Sequence, residues 1–298
     1  MNTIIDCDVI CIGNQTIDEF MVLNEPLVED SKYVTDKVTL CLGGCGYNVY
    51  KTLSSLSNIK TEFCSVLSTS VQEDFNDSPL SLFVDNATPK SVILCRGTNR
   101  TIIHSPSMGS NEELDEALLT HLQQTVISVN CKLIFSDSRF PLSTLYLRSI
   151  CEDLPLLFID VERNRKMTDE LIDVANYVNF SEKGFMSCYG VSSLKSVAFQ
   201  KCRELITVTH GENGVEFSSR GSLGELPVTN VVEIPIDGTG SGDTFVATLI
   251  AEVVTNPTKD HEAMIENAQY AAGENLKSFG GSNIDLSELF TDKEETDN

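Results

Sequence analysis

The stretch DGTGSGD, Asp237 to Asp243, sets small residues between two carboxylates and runs straight into TFVATLIAEVV. Phe245, Val246, Leu249, Ile250 and Val253 recur at helical spacing, which predicts a helix beginning near Asp243. The first amides of a helix have no internal partner. Here they belong to Gly240, Ser241, Gly242 and Asp243, and glycine lets a ligand come close to the backbone. Converging N–H groups and the positive end of the helix dipole favour an anion. A carboxylate beside that anion can accept the proton of an attacking hydroxyl, which becomes acidic as its bond to phosphorus forms. These residues at this spacing suit phosphoryl transfer, with Asp243 as base and the amides of Gly240, Ser241 and Gly242 as an anion hole. A plain glycine-rich turn with an aspartate N-cap satisfies the same pattern.

Other stretches offer partners for that chemistry, and each has an ordinary structural reading beside it. LGGCGYNVYKTL places Gly43, Gly44 and Asn48 where backbone and side-chain amides can meet a polyol, or where a strand simply turns into a helix. Asp18, in GNQTIDEF, can accept bonds from neighbouring sugar hydroxyls, or serve as a turn acid. NFSE puts Asn179 and Glu182 at a strand end, where they can hold the water shell of Mg2+, an ion that keeps most of its waters when bound. It also fits a helix-starting turn. TVTHGENG, with Thr209, Gly211 and Gly214, suits the cover of a nucleotide or any hairpin. Arg100 and Arg139 can neutralise phosphate charge or lie solvated on the surface.

The elements that must position these residues alternate. Strands are expected in CDVICIG, CKLIFSD, LPLLFIDVE, YVNFSE and ELITVTHG. Helices are expected in YNVYKTLSSLS, NEELDEALLTHLQQTV, PLSTLYLRSICED, MTDELIDVAN, SLKSVAFQKCR and HEAMIENAQYAAGENLKSF. Short apolar strands separated by helices imply an α/β fold with a parallel sheet covered on both faces. KYVTDKVTL reads as a half-exposed strand, SVILCRGTNRTIIHSP as strand, turn and strand with Gly97 and Asn99 at the turn, and EFSSRGSLGELPV as a hairpin.

The chain has 298 residues, 41% of them hydrophobic, enough for a sizeable core, and no linker divides it. Residues 1–290 read as one domain and the acidic tail 291–298 as disordered. A net charge of −23 argues against nucleic acid and anionic membranes as partners. It would repel ATP too, so an ATP site here needs a local positive pocket and a divalent cation. Ten cysteines without a C-x-x-C pair, no signal peptide and no bilayer-length apolar run point to a reduced, cytoplasmic protein.

In order and spacing the motifs resemble the ribokinase (PfkB) family of carbohydrate kinases, from about Val9 to Ile284. DGTGSGD resembles its C-terminal signature, GGCGYN its N-terminal one, NFSE its Asn-x-x-Glu motif and THGENG its Thr-x-Gly-x-x-Gly strand end. EPLVEDSKY, GTNRTIIHSPSM, FIDVERNR and AAGENLKSFGG are more loosely similar to the ketohexokinase branch. The resemblance implies a doubly wound, mainly parallel sheet flanked by helices, with a small β lid from about 15–42 and 92–104. It implies transfer of phosphate from ATP to a sugar, fructose first among candidates, with Mg2+ as cofactor and a homodimer contact through the lid. Asp243 would be the base, with Asp18, Gly44, Asn48 and Arg100 at the sugar. Asn179 and Glu182 would organise Mg2+ through water. Thr209, Gly211, Gly214 and Ala272 would border the nucleotide. A nucleoside or pyridoxal-type acceptor, or an inactive ligand-binding relative, are the alternatives.

The chain departs from the family pattern at Gly238 for Thr, Ser241 for Ala and Cys45 for Asn. Residues 67–90 are also about twenty short of the usual loop, helix and strand, which predicts one sheet face left bare.

Overall fold

VICI at Val9–Ile12 and LIFS at Leu133–Ser136 are buried at every position, as strands covered on both faces must be. They lie side by side in an eight-stranded sheet of a computed structural model that describes residues 3–75, 78–85, 88–96, 99–105, 109–197, 204–281 and 284–290. From one edge, the order is Ser222–Leu226, Val215–Ser219, Leu205–Thr209, Tyr177–Ser181, Leu156–Val161, Leu133–Ser136, Val9–Ile12 and Thr61–Cys64. The last six strands of that order run parallel; Val215–Ser219 runs against them, and Ser222–Leu226 pairs antiparallel with it at the edge. Two apolar clusters form the layers. One holds Val9, Phe135 and Phe158 under the helices Cys45–Leu53, Ser241–Thr255 and His261–Asn275. The other holds Ile10, Ile134 and Ile159 under Asn111–Thr125 and Pro141–Ser149. Alternate residues of one strand thus serve opposite layers, as the period of two requires.

A second sheet of four strands is ordered Val38–Gly43, Thr16–Val22, Lys90–Arg96 and Asn99–Ser105. Phe20, Ile93 and Cys95 form a small apolar cluster on it. Val38, Leu40 and Ile103 are exposed on the same sheet. The half-exposed strand read over KYVTDKVTL begins only at Val38. Gly97, the 198–203 part of the helix read over SLKSVAFQKCR, and the tail 291–298 lie outside the described residues. What is described of that helix is the 3-10 turn Leu194–Ser196.

Two expectations change. The helix read through Val126 ends at Thr125, and Val126–Asn130 forms a strand parallel to Thr3–Asp6, which no sequence pattern had marked. Both strands are short and partly exposed, so their apolar signal is diluted. The shortened segment does not leave the sheet bare. Val66–Ser68 pairs with Leu82–Val84, and the 3-10 helix Thr69–Phe75 between them delivers Phe75 to the core. Phe75 stacks on Phe63 at 5.4 Å, and Tyr47 meets both rings edge-on. These large aromatic side chains bury one another within the core layer beside the strand Thr61–Cys64.

Candidate active site

The helix Ser241–Thr255 starts two residues before Asp243, so the aspartate sits in its first turn. Gly240 precedes it with φ at 75°, a left-handed conformation natural to glycine. A side chain at Gly240 would collide with the backbone of Gly281, and one at Gly281 with Asn48. Two glycines therefore let the turn, the 280 loop and the helix Cys45–Leu53 close on one another. Asp237 holds the turn from behind: it accepts from the Thr239 amide and hydroxyl at 3.0 and 2.9 Å and from the Gly280 amide at 3.0 Å. Among the described residues, no hydrogen bond engages the amides of Gly240, Ser241, Gly242 or Asp243, and Gly242 opens onto free space. Four donors thus gather at a helix N-terminus, where an anion is favoured.

Asp243 is half-buried, and Asn48 Nδ2 donates to its Oδ2 at 2.6 Å. Asn48 Oδ1 is buried with no partner among the described residues. Burial pushes the Asp243 carboxyl up to about 6, against donation from Asn48 and Cys45. Asp18 is buried, accepts from Thr16 Oγ1 at 2.7 Å, and presses on Gly43, where a side chain would not fit. Burial raises its carboxyl, opposed by hydrogen bonds from Thr16 and Ser91. Gly44 has φ at 95° and packs against Asn14 and Gln15, so the turn that presents Asn48 needs glycine there. Arg100 comes from the small sheet, yet its Nη1 donates to Thr239 Oγ1 at 3.2 Å and lies 3.3 Å from where a Gly238 side chain would be. A side chain at Gly238 would therefore press lightly on the tip of this arginine.

Behind Asp243 runs a chain that sequence reading did not assemble. Asp160, Asn179 and Thr207 occupy the same register on three adjacent parallel strands, so their side chains share a face. Thr207 Oγ1 donates to Asn179 Oδ1 at 2.7 Å, and Asn179 Nδ2 to Asp160 Oδ1 at 2.7 Å. Cys45 Sγ donates to Asp160 Oδ2 at 3.3 Å. The Cys45 sulfur and the carboxylates of Asp160 and Asp243 lie within 4.8 Å of one another. Burial drives the Asp160 carboxyl to about 7, and the charges of Glu162 and Asp243 add to the rise, against the bond from Asn179. Asp137 is buried nearby. It accepts from the Asn14 amide at 2.6 Å and the Arg139 amide at 3.1 Å, and its carboxyl is raised by burial against the pull of Arg139. Arg139 Nε is 3.8 Å from Asp137. The only sequence signal for Asp137 and Asp160 was an acid closing an apolar strand, in LIFSD and LFID.

The remaining candidates lie along the neighbouring strand ends. Asn179 is buried with both ends of its amide engaged, whereas Glu182 is exposed at the start of the helix Glu182–Tyr189, 3.7 Å from His210. Thr209 donates to the Phe180 carbonyl at 3.3 Å. Gly211 and Gly214 have φ at 58° and 90° and form the turn into the hairpin, closed by the His210 amide on the Gly214 carbonyl at 2.9 Å. Ala272 is half-buried on the helix His261–Asn275, against the core cluster. Here Asn230 runs alongside and donates to the Tyr270 carbonyl at 3.0 Å.

Residues 8–288 match the model of the pfkB family of carbohydrate kinases. The chain belongs to this family. A ribokinase of Bacillus subtilis (strain 168) is 27% identical over 194 residues, which is 64% of this chain and 59% of that protein. A ribokinase of Thermotoga maritima superposes with a TM-score of 0.71 at 16% identity, over 93% of this chain and 95% of that one. An Arabidopsis thaliana ribokinase complexed with ribose and ATP superposes with a TM-score of 0.66 at 16% identity, over 93% and 94%. The family match thus spans residues 8–288, and the superpositions cover 93% of the chain.

Proposed function

We propose that the protein transfers the terminal phosphoryl group of ATP to a hydroxyl of a sugar, with fructose, a ketohexokinase-type acceptor, the first to try. One observation carries the reading. A half-buried carboxylate, Asp243, stands on the same turn as a set of unengaged amides, with Asn48 holding its Oδ2 at 2.6 Å. The Gly240, Ser241 and Gly242 amides would hold the migrating phosphoryl group, since fixed donors stabilise charge at no reorganisation cost. Asp243 would take the proton of the attacking hydroxyl. A carboxyl raised to about 6 is a stronger base than an ordinary aspartate and is still ionised at pH 7.

Asp18, Gly44 and Asn48 form the sugar side. The unpartnered Asn48 Oδ1 would accept from the substrate, and the Asp18 carboxylate would take neighbouring hydroxyls. The four-stranded sheet acts as a lid that excludes water, and its Arg100 would add positive charge at the transferred phosphate. Thr209, Gly211, Gly214 and Ala272 border the nucleotide. The donor set fits Mg2+, a hard ion served by carboxylates and water. Glu182 offers an accessible carboxylate to its water shell, while Asn179 contributes from behind by fixing Asp160. When bound, Mg2+ would neutralise phosphate charge. Among the described residues, no helix is long and apolar enough to cross a membrane. We place the protein in the cytoplasm, as a homodimer through the exposed Val38, Leu40 and Ile103 of the lid.

The test is ADP release in the presence of Mg2+ across fructose, ribose, other ketoses, nucleosides and pyridoxal, with Asp243→Asn as control. Turnover on one acceptor that vanishes in the variant supports the reading. Stabilisation by nucleotide without turnover on any acceptor would instead make the protein a ligand-binding relative.

A further inference from the structure

At the far end of the helix Pro141–Ser149, two thiols stand within reach of each other. Cys131 Sγ and Cys151 Sγ are 3.9 Å apart, on residues twenty positions apart in the chain. Among the described residues this is the one thiol pair in hydrogen-bond range. Both backbones are fixed. Val129 donates to the Ile150 carbonyl at 3.3 Å and accepts from the Glu152 amide at 3.1 Å, so the residue between, Cys151, is held against that strand. Cys131 lies between the Cys7 amide bonded to Asn130 and the Lys132 amide bonded to Asp8, at 3.1 and 3.0 Å. Arg148 ties the segment after the helix to its neighbours through the Pro155 and Val174 carbonyls. With both backbones held, closing from 3.9 Å to a bonded distance of about 2.05 Å falls first to rotation of the two side chains.

We propose that Cys131 and Cys151 form an oxidation site, converted to a disulfide by a hydroperoxide. Cys151 is the half-exposed member, and Cys131 is buried at 8% exposure, so the peroxide meets Cys151 first. Donation from Cys131 and the charge of Arg148 both favour the Cys151 thiolate, while the Cys131 thiol is held protonated by its bond to Cys151 and by burial. The Cys151 sulfur attacks one peroxide oxygen, the O–O bond breaks, and the leaving oxygen takes a proton as alcohol or water. Cys131 then attacks the resulting sulfenic sulfur and releases water. Two thiols and one hydroperoxide give one disulfide, one alcohol and one water. Such a bond in a reducing compartment is transient and reports oxidation rather than building the fold. It lies outside the hydrogen-bonded chain that carries Asp243, so it is independent of the function proposed above.

The experiment uses the full chain. It is treated with hydrogen peroxide, blocked with iodoacetamide and mapped by mass spectrometry without reduction. The expected result is a peptide joining Cys131 to Cys151, the loss of two free thiols, reversal by dithiothreitol, and a melting temperature roughly 5 °C higher while oxidised. In Cys131→Ser the second step is blocked, and dimedone labelling of Cys151 should rise several-fold over wild type. A wild-type map with no such peptide overturns the proposal whatever the variant does. Equal dimedone labelling of Cys151 in the two proteins overturns Cys151 as the sulfur oxidised first and Cys131 as the thiol that resolves it.

Discussion

Asp243 and Asp160 converge on the Cys45 thiol from different elements, one from the first turn of a helix and the other from a central strand. Asp243 accepts from Asn48 on Oδ2, has the Cys45 thiol close by, and stands on the same turn as Gly242, which opens onto free space. Asp160 is buried, with one oxygen facing Asn179 and the other facing Cys45. Both carboxyls are raised by burial, yet Asp243 is only half-buried while Asp160 is buried. A raised carboxyl is therefore no sign of chemistry by itself. Exposure and unengaged donors beside it are what separate the base proposed here from a buried support.

The comparison breaks most sharply under Asp243→Asn. Turnover should fall at least about a thousandfold, while the melting temperature stays within a few degrees of wild type. A variant that keeps a tenth of the activity would show that another group takes the proton. Asp160→Asn should do the reverse. Its carboxyl is held at about 7 in the fold against an ordinary 3.8, so the folded state binds that proton more tightly than the unfolded chain. Stability is then lost as pH rises through that window. Urea unfolding should find the variant more stable than wild type by roughly 1–3 kcal/mol at pH 8, with the gain gone by pH 4. A loss of stability at pH 8 would mean that the hydrogen bonds of Asp160 outweigh its desolvation.

Smaller effects sharpen the contrast. The rate at low substrate should decline tenfold per unit of pH below about 6, where Asp243 takes up its proton in the free enzyme. A profile flat to pH 5 would set the base elsewhere. Arg100→Ala should raise KM for ATP or lower kcat by roughly three- to tenfold, as expected for a single exposed charge on phosphate. Unchanged kinetics would make the contact with Thr239 merely structural.

The local part of the site was legible. DGTGSGD and GGCGYN are short runs in which glycine and the helix period dictate the backbone, and both form the turns expected of them. The alternation of strands and helices likewise sufficed for the central sheet. What escaped was set by register. Nothing near Asp160 in sequence announces that Asn179 and Thr207 will stand level with it on two neighbouring strands. The same holds for residues 67–90. Counting residues suggested a bare face, but Phe75 reaches Phe63 and Tyr47 through space, and aromatic volume covers what chain length does not.

Arg100 joins the small sheet to Thr239, one residue before the amide cradle begins. If that sheet swings outward, a guanidinium leaves with it. The cradle would then lose part of its attraction for an anion at the moment the exit widens. On the function proposed above, departure of the phosphorylated product and discharge of its pocket would be a single movement, and rising ionic strength, which screens the same attraction, should speed that movement where it limits turnover.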